Sequence, residues 1–197
     1  MIFKDKKTYT VFTGGAPVLA QKAREITEID DEVKTLAADM LQAMYLFNGI
    51  GLAAPQYGVS RQLVVIDVPA DDDEANLSPG ERLLCPLMPL ALVNPSIVAA
   101  SGETSEADEG CLSVPDIYAP VVRPASVVVK FTTLGGENVE IECGNLLGRC
   151  MQHEIDHLHG ILFTDRLAPA AAKKIAGELA ELKKRGKKNG FCRIKKK

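Results

Sequence analysis

The sequence predicts one α+β domain: mostly antiparallel strands packed around a central helix, with a further helix near each terminus. Three observations predict it. Apolar residues recur at helical spacing in three well-separated stretches. Between them lie short runs rich in Val, Ile and Leu, bounded by Gly and Pro. Gly135-Gly136 joins two such runs directly, which favours antiparallel pairing. With 197 residues, 46% of them hydrophobic and 25% charged, the chain suits one hydrophobic core. Trp is absent and aromatics are scarce, so aliphatic side chains must do most of the packing.

The first helix is expected over Asp30–Asn48. Val33, Leu36, Ala37, Met40, Leu41, Met44 and Phe47 make one apolar face, Asp30 or Asp31 caps the start, and Gly49 ends it. Gly49-Ile50-Gly51-Leu52-Ala53-Ala54-Pro55-Gln56 is too rich in Gly, and too abruptly stopped by Pro, to read as a regular element. Leu63–Val68 reads as a buried strand. Residues 70–90 open with acids and carry Pro79, Pro86 and Pro89, so an exposed excursion with little regular structure is expected. Strands resume near Ala91–Val98. Gly102–Pro120 reads as irregular, and Ser126–Thr133 pairs with Asn138–Cys143 across the Gly-Gly turn. Asn145–Leu158 is the central helix, stopped at Gly160, and Ala168–Arg185 is the C-terminal one, with Leu179 and Leu182 on its apolar stripe.

Charge divides the chain unevenly. Nine of the 23 Lys and Arg fall in residues 183–197, which hold no acid, while all 26 Asp and Glu lie before them. Residues 1–182 are therefore expected to form a single catalytic domain and 183–197 a basic tail. No apolar run approaches bilayer length, and Met1–Lys7 lacks the apolar stretch of a secretory signal, so no membrane partner and a cytoplasmic location are expected. Five cysteines at spacings without a pairing framework suit a reducing compartment.

The chemistry concentrates on the central helix. His153-Glu154-Ile155-Asp156-His157 matches H-E-x-x-H. On a helix the two imidazoles share a face and reach one ion, while the intervening Glu moves protons without binding it. The pattern alone arises by chance in on the order of one in a few hundred chains this long. Two features strengthen it. Only three His occur in the chain, two of them at ligand spacing, and the helix is otherwise apolar (Leu146, Leu147, Cys150, Met151, Ile155, Leu158), so its polar groups need partners. For a third ligand, Cys111 beside Gly110 competes with Cys150 and His159. One helix does not easily wrap three ligands around an ion, and His159 reads better as a residue at the helix end. Cys85, Cys143 and Cys192 read as packing or incidental thiols.

Three segments resemble the peptide deformylase family. Gly49–Gln56 resembles its G-x-G-L-A-A-x-Q motif, Glu109-Gly110-Cys111-Leu112-Ser113 its E-G-C-L-S motif, and Gln152–His157 its Q-H-E-x-D-H motif. The resemblance runs through residues 15–167. It implies a hydrolase of protein biosynthesis that removes the N-formyl group from the formylmethionine of nascent polypeptides and releases formate. It implies one divalent metal ion, natively iron (Fe2+), with zinc (Zn2+), Ni2+ or Co2+ able to substitute. Cys111, His153 and His157 are implied as ligands and Glu154 as the acid–base residue. Gln56 and the backbone N–H of Leu112 are implied to stabilise the oxyanion. Gly51 and Gly110 would approach a bound peptide, and Ile50, Leu146 and Cys150 would wall a methionine pocket, with Arg149 turned outward. Asp156 and Glu109 are candidates to orient imidazoles, or to pair with Arg123.

Two departures bear on substrate contacts: the length of the 70–90 excursion, and Tyr118 where many relatives carry a basic residue. Two rival readings remain. A zinc endopeptidase would draw its third ligand from downstream, where only Asp165, Glu178 and Glu181 offer carboxylates. A peptide- or RNA-binding module would have lost a ligand or the base, and none is missing. The basic tail reads equally as a solvated terminus that aids solubility or as a segment that makes a weak, salt-sensitive contact with the ribosome.

Overall fold

The computed structural model describes residues 8–71 and 73–190. The expectation on Met1–Lys7 and the last part of the basic tail lie outside those residues. Helix α1 spans Asp31–Leu46, with the Asp30 carboxylate accepting from the Val33 N–H at 2.8 Å as its N-cap. Two short strands follow, β1 (Gly51–Ala53) and β2 (Leu63–Ile66). After an excursion come β3 (Leu90–Ala100), then the paired β4 (Thr104–Cys111) and β5 (Val114–Pro124), then β6 (Ser126–Thr132) and β7 (Asn138–Gly144). Helix α3 spans Asn145–Leu158 and α4 spans Pro169–Asn189.

The strands make two antiparallel sheets. One has five strands in the order β1-β2-β3-β6-β7, and β4 with β5 forms a separate two-stranded ribbon. The apolar side of α3 (Leu147, Met151, Ile155, Leu158) shares a core with Val64, Ile66, Val127 and Val129 of the larger sheet. Helix α1 packs Val33, Ala37, Met40 and Met44 against Leu52, Leu63 and Val65. A third cluster joins Ile117, Ala119 and Val121 of β5 to Ile175 and Leu182 of α4.

The segment before α1 has little regular structure and is held by single hydrogen bonds. Phe12 N–H donates to Gln56 O at 2.8 Å, and Gly14 N–H to Ser113 O at 2.7 Å. The Asn94 side chain exchanges two bonds with the Ile26 backbone, at 2.9 and 2.8 Å, as a neighbouring strand would.

Three expectations need correcting. The excursion at 70–90 contains a short helix, α2 (Pro79–Leu84), flanked by 3-10 turns. Ser78 and Glu81 form a capping box with Pro79 at the first helical position, so the proline that suggested a break instead starts the helix. The buried Glu81 carboxylate also accepts from the Asn145 side chain at 2.9 Å and braces the start of α3. Residues 102–120 are not irregular but hold the β4–β5 ribbon. Gly49–Gln56 contains β1 and a 3-10 turn over Ala54–Tyr57.

The docking of α3 onto β7 is set by Gly148. A Cβ there would lie 2.5 Å from the Cys143 carbonyl oxygen and 2.9 Å from its carbon, both backbone atoms that cannot swing aside. Ala is the better helix former by about 1 kcal/mol. Overpacking against backbone nevertheless wins, and Gly148→Ala is expected to cost about 1–3 kcal/mol, read as a lowered urea midpoint at unchanged slope.

Candidate metal centre

Helix α3 is buried along nearly its whole length, yet it carries His153, Glu154, Asp156 and His157. Spacing by four residues puts both imidazoles on one face, their rings 5.0 Å apart and edge to face. Cys111 comes from the end of β4, where a register shift between Gly110 and Cys111 bends the ribbon towards α3. Its Sγ lies 3.3 Å from His157 Nε2, and one donor atom from each of Cys111, His153 and His157 falls within 4.8 Å of the other two. Among the described residues no other group of three such donors forms. Asp165, Glu178 and Glu181 lie outside it, as do Cys150 and His159. The His159 Nδ1 turns back to the Ile155 carbonyl at the end of α3.

Two of the three donors are held from behind, while the buried His157 Nδ1 has no hydrogen-bond partner among the described residues. Glu109 accepts from His153 Nδ1 at 2.9 Å, which leaves Nε2 for the centre. Arg123 donates twice to Glu109, at 2.6 and 2.9 Å, and once to Asp156 at 2.8 Å. Asp156 also bonds Arg166, so it touches arginines rather than either imidazole. The Cys111 sulfur accepts from the Ser113 N–H at 3.3 Å and from the Gln56 side-chain amide at 3.4 Å. Gln56 is fixed in turn by the Ala53 N–H on its Oε1 at 2.7 Å.

The electrostatics suit a cation. Burial opposes charge on His153, but Cys111 and Glu109 outweigh it and raise that imidazole well above its usual range. The space beside them therefore favours positive charge. Burial, with the positive charges at His153 and Arg123, holds His157 far below its usual range and hence neutral, the form that binds metal. Burial also pushes Glu109 up, yet the bonds from Arg123 and His153 reverse this and keep it ionised. A thiol and two imidazoles are a donor set for zinc, iron or a similar divalent ion, and three protein ligands leave a coordination position open.

Glu154 stands beside this group without joining it. Burial raises its carboxyl to about 7, against the opposing charges of His153 and Arg123. Its Oε2 is buried and has no hydrogen-bond partner among the described residues. It faces a cavity of about 440 Å³. Ile50, Gly51, Gly110, Leu112, Leu146 and Cys150 line that cavity, and Gln56 and Tyr118 also reach it. A Cβ at Gly51 would lie 2.5 Å from Glu154 Oε1 and 2.9 Å from Cys150 Sγ, so a side chain there would have to displace both.

Arg149 reverses the expectation that its charge points outward. Its guanidinium turns onto Glu109 at 2.8 Å. Sequence reasoning offered Arg123 as a partner for Glu109 or Asp156, and it pairs with both, but it missed the whole of Arg166. Arg123 did leave a signal: it keeps the alternate-residue phase of the inward-facing Ile117, Ala119 and Val121 on β5.

The chain is similar to known proteins over most of its length. Residues 8–173 match a family model described as polypeptide deformylase. Peptide deformylase 2 of Gloeobacter violaceus is 45% identical over 176 residues, covering 89% of this chain and 87% of that protein. A solved peptide deformylase of Synechococcus elongatus, in complex with actinonin, superposes with a TM-score of 0.75 at 37% identity, covering 89% of this chain and 88% of its own. Peptide deformylase 1B of Arabidopsis thaliana with an inhibitor superposes with a TM-score of 0.77 at 37% identity, covering 91% and 93%. The matched residues 8–173 include the Gly49–Gln56 segment, the Cys111 ribbon and the histidine helix, and on this match the chain belongs to the peptide deformylase family.

Proposed function

We propose that this protein is a metal-dependent peptide deformylase, cutting the N-formyl group from the formylmethionine of newly made polypeptides and releasing formate. The observation that carries the reading is the convergence of Cys111, His153 and His157 on one another, with Cys111, His153 and Glu154 lining the cavity beside them. Those three would hold the ion, so α3 is the metal-binding helix around which the strands pack. When bound, the ion supplies Lewis acidity, easing loss of a proton from water and drawing electron density from a carbonyl oxygen. Iron(II) is the proposed native ion; zinc, nickel and cobalt suit the same donors.

The chain's own groups do the rest. Glu154 takes a proton from the attacking water and returns it to the departing amine. The Gln56 amide and the Leu112 N–H meet the charge that develops on the formyl oxygen. Gly51 and Gly110 let a peptide backbone lie close to the cavity walls. Ile50, Leu146 and Cys150 give those walls the apolar, polarisable surface that suits a methionine side chain.

Residues 1–182 form the catalytic unit in this reading, and α4 carries the first part of the basic segment beyond them. No helix among the described residues is long and apolar enough to cross a membrane. The cytoplasm is the proposed location, where Cys111 stays reduced; Cys85, Cys143 and Cys150 are likewise free thiols. The acidic body would be repelled by ribosomal RNA, while the basic segment at 183–197 would bind it weakly.

Three outcomes are expected. Glu154→Gln should retain its metal, because Glu154 is outside the ligand group, yet lose about 10²–10⁴-fold in rate. Formate release from formyl-Met-Ala, alongside metal analysis, checks this, and turnover near wild type at full metal content would sink the role. Cys111→Ala should empty the centre, whereas Cys85→Ser and Cys143→Ser should keep normal metal content on analysis of each purified variant. Deleting residues 183–197 should leave formyl-Met-Ala hydrolysis intact and weaken co-sedimentation with ribosomes at low salt; equal sedimentation with and without the tail removes the ribosome proposal.

A further inference from the structure

Arg149 stands on α3 between Leu146 and Cys150 and lines the cavity, yet its side chain is only 12% exposed. Every bond it makes runs to the β4–β5 ribbon. Nη1 donates to Glu109 Oε1 at 2.8 Å and to the Val121 carbonyl at 3.0 Å. Nη2 donates to the Ser105 carbonyl and hydroxyl, both at 2.9 Å. One planar fork thus ties α3 to both strands of the ribbon. The ribbon carries Cys111, and α3 carries His153 and His157.

Glu109 is the second part of the argument. Its Oε1 accepts from Arg123 and Arg149, and its Oε2 accepts from Arg123 and His153. A carboxylate has about four acceptor positions, and all of them are used. Arg123 sits on β5 and locks Glu109 within the ribbon, while reaching Asp156 on α3. Arg149 supplies the link on the cavity side; without it Glu109 loses one of its four bonds, and α3 loses its ties to Ser105 and Val121.

We infer that Arg149 is a positioning residue for the metal centre: by filling the last acceptor position of Glu109 and gripping Ser105 and Val121, it fixes the His153 ring and the separation between Cys111 and the two histidines. This rests on the deformylase reading above. Lys does not replace it, because an ammonium lacks the rigid fork that spans three partners.

Cobalt(II) is the probe, since its visible absorption reports both thiolate ligation and coordination geometry. Wild type, Arg149→Met and Arg149→Lys are compared. Arg61→Met serves as a control, because Arg61 pairs with Glu32 on α1, away from the metal centre. Each is assayed for Co2+ affinity by chelator competition, for its absorption bands, for kcat and KM with formyl-Met-Ala, and for thermal melting without metal. Arg149→Met is expected to weaken Co2+ binding or turnover about 10–100-fold, to shift the absorption bands and to leave KM little changed. Arg149→Lys should fall between, and the control should keep the wild-type bands. Wild-type affinity and bands in Arg149→Met overturn the inference, and so does a change confined to KM, which would make Arg149 only a wall. If Arg149→Met does not fold, the same readouts on Arg149→Lys decide. A wild-type protein showing no thiolate-to-cobalt band would overturn the deformylase reading instead.

Discussion

Arg123 lies 3% exposed between two carboxylates, Glu109 on its own ribbon and Asp156 on α3. Much else depends on that triad. Taking three charges out of water is costly, and their mutual attraction compensates only where geometry and further hydrogen bonds are complete. Here Arg149 and His153 complete Glu109, and Arg166 completes Asp156. Breaking such a buried pair from one side costs about 3–5 kcal/mol, because the other charge is left stranded. The ribbon is thereby registered against the helix, and the Cys111 sulfur sits over the histidine face.

The parts of the fold legible in the sequence were those with strong local punctuation. Helix α3 was bounded correctly because an apolar pattern ran from Asn145 to Leu158 and Gly160 followed, where the chain adopts a positive φ of 74°. The β6–β7 hairpin was legible from the consecutive Val127, Val128 and Val129, the alternating Val139, Ile141 and Cys143, and the paired glycines. The β4–β5 ribbon was not, because residues 104–108 are all exposed and polar or small, and Pro115 and Pro120 interrupt the partner strand. Pairing there is set by tertiary context, not by pattern. Helix α2 was hidden for a related reason: at six residues it is too short to show a period.

The site divides similarly. The ligand motif and its glutamate could be read directly, since helical spacing alone places His153 and His157 together. Of the charged lattice behind them, only the pairing of Arg123 with Glu109 and Asp156 could be read. Arg149 looks like a surface residue in an apolar helix, and only the approach of the ribbon gives its guanidinium an inward partner. Arg166 follows α3 at a distance that suggests no relation to Asp156 until the chain turns back through the Phe163–Asp165 turn.

The donors come from two separately built pieces, a ribbon outside the main sheet and a helix packed upon it. Ligation and docking are therefore thermodynamically linked. An ion that binds only when both pieces are in place adds RT ln(1 + [ion]/Kd) to their association, about 2.7 kcal/mol at a hundredfold excess over Kd. The supply of that ion would then shift the balance between docked and undocked ribbon. Metal starvation would act twice: removing a reactant-activating centre, and loosening the structure that would recapture one.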